Sequence, residues 1–343
     1  MKFEAVTIKD IAKALGLSTS TVSRALRDSY EISPETKKLV LEYAQNNNYR
    51  PNPIALSLKE KRSRSIGIIV CEIANSFFSQ VINGIESIAY DKGYNVIIAQ
   101  SHESYEREVL NVQYLASRSI DGLLVSVSSE TNDLEHLKGL HERGLPIVFF
   151  DRIVDEMDTH KVIVNNFQGA YDATTHLIRG GYRHIANLAG SEYLSITRER
   201  VSGYRQALED HGRGFNNAYI QHCLHGGMLY DEVEYALENL LQLPDRPDAI
   251  LGCADKLTTN CLRYFRKKKI QVPEDIALVG FSNLDITDLL SPPLTVVRQP
   301  AFEMGQLSTE LLIQQIESKR PVKEFEKRIL PPQLFTKGST GNE

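Results

Sequence analysis

Residues 7–26, TIKDIAKALGLSTSTVSRAL, predict two short helices joined by a tight turn. Thr7 and Ser18 are placed to cap these helices, because a hydroxyl oxygen can accept a hydrogen bond from the backbone of the first helical turn. Gly16 supplies the left-handed backbone that a sharp turn needs. Apolar residues recur at helical spacing on one face of each helix, namely Ile8, Ile11, Ala12 and Leu15 on the first and Val22, Ala25 and Leu26 on the second. The stretch therefore predicts a helix-turn-helix.

The polar face of the second predicted helix carries short hydroxyl side chains and one guanidinium, at Thr19, Ser20, Ser23 and Arg24. Short hydroxyl donors and acceptors beside one long side chain with a forked guanidinium suit a helix that lies in a DNA major groove. An ordinary helical hairpin with a solvated polar face is the alternative. The caps, the turn glycine and the apolar positions coincide within one stretch, which favours the DNA-binding interpretation.

The net charge of −5 conceals opposite charges on two parts of the chain. Residues 1–62 contain 11 Lys and Arg against 7 Asp and Glu, a net charge of +4, and the remainder carries −9. A basic head on an acidic body fits a DNA-binding domain joined to a domain that binds no polyanion.

Length and composition indicate a globular protein of two or three domains. The 343 residues include no apolar run near the ~20 residues that span a membrane. The first residues, MKFEAVTIKD, lack the apolar core of a signal peptide. The four cysteines have no framework spacing, which indicates reduced thiols. We expect a cytoplasmic protein, associated with the nucleoid.

A third helix is predicted to begin at Ser33-Pro34-Glu35 and to end in the asparagines at 46–48, with an apolar stripe of Leu39, Val40, Tyr43 and Ala44. Prolines 51 and 53 then bar a continuing helix. The following segment, IALSLK at 54–59, could form a turn or two of helix, too short to stand alone in water. The spacing leaves open whether it is a plain linker or a segment that folds on DNA.

From Ser65 onward, apolar strands alternate with amphipathic helices. The predicted strands are 66–70, 95–99, 122–127, 146–150, 184–189, 249–253 and 276–281, and the predicted helices are 78–92, 105–117, 169–179, 198–211, 230–242 and 256–268. Near-continuous apolar strands separated by helices are typical of parallel sheets covered on both faces. We predict two doubly wound α/β subdomains, with their boundary near 165–169.

Ligands of open parallel sheets bind beyond the carboxyl ends of the strands, so the residues that follow each strand are candidates for a binding site. They are Asn75, Phe77, Phe78, Ser126, Asp151, Arg152, Arg200, Asp255, Ser282 and Asn283. Rings, hydrogen-bonding groups, acids and arginines around one cleft suit a small, polyhydroxylated or otherwise polar molecule. For each residue alone, loop capping or an internal ion pair is an equal alternative.

Motifs of catalysis and cofactor binding are missing from the sequence. It has no phosphate-binding loop, no dinucleotide-binding turn and no nucleophile elbow. His222, Cys223 and His225 could suggest a metal, but no second ligand pair accompanies them, which favours a solvated turn. We expect no enzyme activity, no metal and no cofactor other than a small-molecule effector.

Taken together, VTIKDIAKALGLSTSTVSRAL, ISPET, YRPN and SIGIIV closely resemble the lactose-repressor (LacI/GalR) family of bacterial transcription factors. In the core, FFDR, the RxxGY motif that begins at Arg200, VPEDIALVGF and PPLTVVRQP extend the resemblance over essentially the full chain. The head motif is specific to that family, whereas the core strands alone also resemble periplasmic sugar-binding proteins.

The resemblance implies a helix-turn-helix domain at 1–50, a hinge helix at 51–63 and a core at 64–343 that is like a type I periplasmic binding protein. Its first subdomain would comprise 64–166 plus a crossover near 296–318, and its second 167–295 plus 319–343. The family also implies a dimer on a near-palindromic operator. The chain ends without a leucine heptad, so we expect a dimer rather than a tetramer.

Residue roles follow from the resemblance by position. Thr19, Ser20 and Arg24 would read bases in the major groove, and Thr7, Ser18, Thr21, Ser23, Thr36 and Tyr49 would contact or flank the phosphate backbone. Leu58 matches the hinge leucine that wedges into the minor groove, with Lys59 beside it, which supports a segment that folds on DNA. Phe77, Phe78, Asp151 and Arg200 fall on effector-binding positions. Ser282 stands where the family often has an acid, so the effector's identity does not carry over.

We therefore expect a regulator, most simply a repressor, that binds double-stranded operator DNA as a homodimer under the control of a small-molecule effector. A solute-binding protein for transport and a sugar-modifying enzyme are the alternatives. The missing signal peptide and the basic head argue against the first. The missing catalytic constellation argues against the second.

Overall fold

A computed structural model of the chain describes residues 6–49 and 62–341. The contacts divide the chain after Arg64 into two compact units. In the part that the structure describes, no helix is long and apolar enough to cross a membrane. Leu58 and Lys59, the predicted hinge contacts, lie outside the described residues.

The first unit is a bundle of three helices, α1 (Ile8–Leu15), α2 (Thr19–Ala25) and α3 (Pro34–Asn46). Thr7 caps α1 in a reciprocal capping box with Asp10, and Ser18 caps α2 by accepting from the Thr21 N–H at 3.0 Å. Gly16 ends α1 with φ +64°, the left-handed conformation that the turn requires. The predicted helix-turn-helix is confirmed.

A small apolar core holds these helices together. It consists of Ile11, Ala12, Val22, Ala25, Val40 and Ala44, with Leu15 and Leu26 packed at its edge. Leu39 is 48% exposed, so its assignment to the buried stripe of α3 was wrong. It precedes Val40 by one residue and is therefore rotated by about 100° away from the core-facing side.

The second unit contains two six-stranded sheets, each covered by helices. The strands of the first are β1 (Ser65–Val70), β2 (Asn95–Gln100), β3 (Gly122–Val125), β4 (Ile147–Phe150), β5 (His160–Val164) and β11 (Lys327–Leu330), in the order β11-β5-β4-β3-β1-β2. All of its described pairings are parallel. The predicted parallel architecture is confirmed for this half of the core.

The second sheet repeats this plan. Its strands are β6 (Ile185–Ala189), β7 (Ile220–His222), β8 (Ala249–Gly252), β9 (Ala277–Phe281), β10 (Thr295–Arg298) and β12 (Gln333–Phe335), in the order β12-β10-β9-β8-β6-β7. The pairing of β12 with β10 is antiparallel, and the others are parallel. Each sheet with its helices forms one doubly wound subdomain.

The helices of the core are α4 (Ser76–Asp91), α5 (Tyr105–Ser117), α6 (Glu135–Glu142), α7 (Asn166–Arg179), α8 (Ser195–Asp210), α9 (Tyr230–Leu241), α10 (Asp255–Lys268) and α11 (Ala301–Glu317). Two helix pairs approach closely, α4 with α11 and α7 with α8. A Cβ added at Gly84 would overlap the backbone carbonyl of Phe302, and one added at Gly203 would overlap that of Phe167. These glycines allow the helices to touch through their backbones.

The subdomain boundaries differ from those predicted at the end of the chain. The chain crosses between the sheets three times, after β5, after β10 and after β11. Because β11 pairs with β5, assigning all of 319–343 to the second subdomain was wrong. The start of the predicted crossover at 296 also falls inside β10, which belongs to the second sheet.

Candidate DNA-binding surface and ligand cleft

The polar face of α2 is open to solvent. Thr19, Ser20 and Arg24, the predicted base readers, are exposed. The Ser18 hydroxyl contacts the hydroxyls of Ser20 and Thr21, each at 2.8 Å, so the start of the helix carries a connected hydroxyl cluster. The core contacts of Val22 and Ala25 fix the opposite face of α2. The fold thus presents the predicted readers together on one surface.

The residues predicted to contact the DNA backbone lie mostly at helix starts. Thr7, Ser18 and Thr36 belong to the first turns or caps of α1, α2 and α3. Unpaired N–H groups point outward at helix starts, an arrangement that suits phosphate oxygens. Thr21 and Ser23 are half-buried on α2. Tyr49 follows α3, and burial raises the pKa of its phenol, which keeps it a neutral hydrogen-bond donor.

Two acids on the loop between α2 and α3 are paired with cations. Arg24 Nη1 lies 3.1 Å from Glu31 Oε2. Lys37 Nζ lies 2.7 Å from Asp28 Oδ1. One predicted base reader is therefore held by a carboxylate, a contact that local sequence patterns did not indicate.

The second candidate site lies at the carboxyl ends of the core strands. Asn75 follows β1 and caps α4, its side-chain oxygen accepting from the Phe77 and Phe78 N–H groups. The rings of Phe77 and Phe78 are buried and meet edge to face, with centroids 5.3 Å apart and an interplanar angle of 71°. The two rings form an apolar surface, whereas Asn75 acts as the N-cap of α4.

The first subdomain contributes a buried charged cluster. Arg152 Nη1 donates to Glu103 Oε2 at 2.6 Å, and the Arg152 Nε lies 4.0 Å from Asp151 Oδ2. Although burial opposes ionisation, the Arg152 guanidinium lowers the pKa of Glu103. Burial raises the pKa of Asp151, against the pull of Arg152 and Arg200. No described residue donates a hydrogen bond to the Asp151 carboxylate. Arg152 is thus neutralised by protein, whereas Asp151 is left with acceptor capacity.

The second subdomain contributes Arg200 from α8. Its guanidinium lies over the Phe281 ring, 4.1 Å from the centroid, and is buried. It donates to Asn166 Oδ1 at 2.8 Å, to the Cys253 carbonyl at 2.6 Å and to Gln299 Oε1 at 3.3 Å. These contacts fix the plane of the guanidinium at the strand ends.

Asp255, at the start of α10, accepts a hydrogen bond from Ser282, the residue that stands where the family often has an acid. Burial raises its pKa, opposed by hydrogen bonds from the Ser282 hydroxyl and the Asn283 N–H. The Asn283 N–H lies 3.1 Å from Asp255 Oδ1. Ser282 thus contacts an acid instead of supplying one.

A reciprocal pair of amides joins the two subdomains beside these charges. Gln80 on α4 donates through Nε2 to the Asn283 carbonyl at 3.0 Å, and Asn283 Nδ2 donates to Gln80 Oε1 at 2.8 Å. Asn283 is itself held by Gln299, whose carbonyl accepts from its Nδ2 and whose N–H donates to its Oδ1. Gln80 and Asn283 therefore close the cleft at this point from the two subdomains.

Several buried polar atoms around the cleft have no hydrogen-bond partner among the described residues. They include Ser126 Oγ, Arg152 Nε and Gln299 Nε2. An unpaired buried polar group costs about 1–3 kcal/mol, so a ligand that pairs with it gains a corresponding advantage. A separate cavity of about 150 Å³ is lined from both subdomains, by Ser128 and Thr131 on one side and Tyr193 and Arg198 on the other.

Hydrogen bonds and charge contacts link Asp151, Arg152, Arg200, Asp255, Ser282 and Asn283 at the strand ends, and Asn75 caps α4. That the ten residues form one ligand site stays a prediction. Glu103, Gln80, Asn166 and Gln299 join them and were not predicted. Gln299 follows β10 directly and obeys the strand-end rule, so predicting that strand would have found it.

The two histidines of the candidate metal motif, His222 and His225, contact groups of the protein itself. His222 Nδ1 lies 2.9 Å from the Gly190 carbonyl, and His225 Nδ1 lies 2.6 Å from Glu232 Oε1. Within residues 6–49 and 62–341, no group of three or more His, Cys, Asp or Glu could hold a metal ion. All four cysteines are buried and free.

Comparison with known proteins places both units in one family. The family described as bacterial regulatory proteins of the lacI family matches residues 7–52, and that described as periplasmic binding proteins and sugar-binding domain of the LacI family matches 63–335. The transcriptional repressor PurR of Vibrio campbellii is 32% identical over 95% of this chain and 96% of its own.

Solved structures are similar over the whole length. The regulator CelR in complex with cellobiose is 28% identical, with a TM-score of 0.71 over 97% of this chain and 99% of that one. The lac repressor dimer bound to operator and an anti-inducer has a TM-score of 0.83 over 98% of this chain and 99% of that one. At 24% identity, the second likeness is one of fold.

Proposed function

Since this chain belongs to the LacI family of bacterial regulatory proteins, we propose that it is a transcriptional repressor controlled by a small polar effector. It binds a near-palindromic DNA operator as a dimer and acts in the cytoplasm, on the nucleoid. One observation carries the proposal: a helix-turn-helix with an exposed polar face occurs in the same chain as a core whose cleft buries unpaired polar groups.

The head supplies recognition. Thr19, Ser20 and Arg24 read base edges in the major groove, because short hydroxyls and one guanidinium match the donors and acceptors displayed there. The hydroxyls at the helix starts, with Tyr49, position the head on the phosphates. Leu58, beside Lys59, wedges into the minor groove and bends the operator, as the family resemblance implies.

The cleft favours a neutral, hydrogen-bonding effector. Its network contains four carboxylates, Asp151, Glu103, Glu199 and Asp255, against the two guanidiniums of Arg152 and Arg200, which gives a strongly anionic ligand no excess of cations. Both arginines already donate to protein acceptors. The free acceptor capacity of Asp151 and the unpaired donors of Ser126, Arg152 and Gln299 suit hydroxyl or amide groups, as in a sugar or a nucleoside.

Binding in the cleft controls DNA affinity through the relative placement of the two core subdomains. The three chain crossings and the Gln80–Asn283 pair allow two arrangements of the sheets that differ in the shape of the cleft. An effector that prefers one arrangement shifts the population toward it. In the dimer this shift changes the spacing of the two hinge segments and therefore their stability on the operator.

A dimer is supported by an apolar edge on the first sheet. β2 is an edge strand, yet Ile98 on it is 40% exposed, and Leu110 and Tyr114 on α5 are more than half exposed. Strands of parallel sheets are usually covered on both faces, and a bare apolar edge invites another chain. A second copy that covers this edge would pair two heads for a palindromic operator.

Thermal unfolding of the full-length protein tests the effector proposal. The panel consists of neutral sugars, sugar phosphates, nucleosides and nucleobases, and a compound at about 100 times its dissociation constant adds about 2.7 kcal/mol of stability. We expect a shift from a neutral compound, and the same compound must change the affinity for DNA selected from a random library. Asp151→Asn serves as the control that folds but loses the shift.

Two outcomes contradict the proposal. One is a cleft ligand that leaves the DNA affinity unchanged, which would indicate a solute-binding protein. The other is chemical turnover of the ligand by the purified protein, which would indicate an enzyme. Recovery of the intact compound after incubation distinguishes the proposed function from the second.

A further inference from the structure

The ion pair between Arg24 and Glu31 joins the recognition helix to the loop that follows it. Arg24 Nη1 lies 3.1 Å from Glu31 Oε2, and the two side chains are 58% and 46% exposed. Arg24 is the one cation on the polar face of α2, whose other members are hydroxyls. Glu31 therefore places a carboxylate on the surface that, in the proposed function, faces DNA.

A carboxylate at this position has opposite consequences for the two ways in which an arginine binds DNA. A guanidinium has five N–H donors, so contact through Nη1 leaves the Nε and Nη2 edge for the two acceptors of a guanine. Contact with a phosphate, in contrast, brings a second full negative charge beside Glu31, whose own charge repels the phosphate. Glu31 thus permits base reading and opposes backbone binding.

We propose that Glu31 is a specificity-determining residue: it holds Arg24 toward the bases and lowers the affinity for DNA that lacks the operator sequence. The inference rests on the proposed function, in which Arg24 reads a base. Non-specific binding is supplied almost entirely by cations on phosphates, so withholding one guanidinium from the backbone affects that mode most.

The experiment compares Glu31→Gln with the wild type in the full-length protein. One duplex is an operator selected by the wild-type protein from random DNA, and the other is a scrambled duplex of the same length and composition. We expect roughly two- to fivefold tighter binding to the scrambled duplex, the factor that corresponds to one exposed ion pair. Its salt dependence should steepen by about one phosphate contact. Operator affinity should change less, so the ratio of the two affinities falls.

Asp28→Asn is the matched control. Asp28 lies on the same loop, is also paired with a cation and loses the same charge, but does not touch Arg24. Asparagine also tolerates the positive φ of 54° at this position. Asp28→Asn should alter both duplexes by the same factor. If Glu31→Gln also does so, Glu31 acts only through net charge and the inference is overturned.

Arg24→Ala separates failure of this inference from failure of the proposed function. If Arg24→Ala leaves the preference for the operator intact, Arg24 is no base reader and the premise falls. If Arg24→Ala lowers the preference while Glu31→Gln does not, only the role of Glu31 is rejected. In the double variant, Glu31→Gln should no longer change the affinity ratio, because its action requires the guanidinium.

Discussion

Replacing Gln80 by alanine should weaken effector binding indirectly, because it destabilises the closed cleft. Gln80→Ala deletes two hydrogen bonds, from Gln80 Nε2 to the Asn283 carbonyl and from Asn283 Nδ2 to Gln80 Oε1. At a net 0.5–1.5 kcal/mol each, they stabilise the closed cleft by about 1–3 kcal/mol. Because Gln80 is partly exposed, hydrogen bonds to water replace part of this stabilisation, and we expect a loss in the lower half of the range. If the effector binds the closed arrangement, a loss of about 1–2 kcal/mol should raise its dissociation constant about 5- to 30-fold.

Calorimetry with the compound found by thermal unfolding measures this change, and small-angle scattering of the ligand-free protein reports opening of the core. Gln80→Glu keeps an acceptor for Asn283 but loses the donor, so its effect should include repulsion from the Asn283 carbonyl. Ser79→Ala is the control, because the Ser79 hydroxyl bonds only within its own helix, to the Ser76 carbonyl. An unchanged dissociation constant and an unchanged scattering profile for Gln80→Ala would refute the reasoning.

Four further changes test other parts of the proposal. Arg24→Ala should cost about 1–3 kcal/mol on the selected operator in a gel-shift titration, and an equal loss on scrambled DNA would reject base reading. Leu58→Ala should reduce operator bending measured by fluorescence energy transfer, and unchanged bending would refute the wedge. Burial raises the pKa of Asp151 above its ordinary value of 3.8, so stability is fully present below pH 3.8 and falls as pH rises from there through the raised pKa. Asp151→Asn should remove this fall in urea unfolding measured over a series of pH values, and identical pH profiles would reject it. Ile98→Asp should convert the dimer to monomer in sedimentation velocity, and a persistent dimer would place the interface elsewhere.

Local signals explain how far the sequence predicted the head. Thr7, Gly16 and Ser18 act on backbone within three or four residues of themselves, so their roles could be identified without knowledge of the fold. The Arg24–Glu31 pair depends on how the loop after α2 returns, and no short-range pattern indicates it. The error at Leu39 has a similar origin, because a stripe drawn too wide on a helix includes a solvent-facing neighbour.

In the core, the sequence predicted the apolar strands near the middle of each sheet and the edge strand β2. It missed the interior strands β5 and β10 and the edge strands β7, β11 and β12. β1, β3, β4, β8 and β9 are continuous apolar runs, as burial on both faces requires. β11 has the burial of an edge, with three of its four residues exposed, so its composition resembles a loop. The cleft residues that come directly after the central strands could be predicted from their position at the carboxyl ends of those strands. Gln80 did not, because its partner lies 203 residues away on the other sheet.

The pairing of β11 with β5 delays completion of the first sheet during synthesis of the nascent chain. The first sheet lacks its last strand until residue 330 has been made, 166 residues after β5 ends, and α4 lacks its covering helix α11 until residue 317. At bacterial translation rates of about 5–20 residues per second, the half-built sheet waits roughly 8–30 s. During that interval the β5 edge and the apolar side of α4 are open to solvent and to other nascent chains. The first subdomain to leave the ribosome is therefore among the last parts of the protein to be completed.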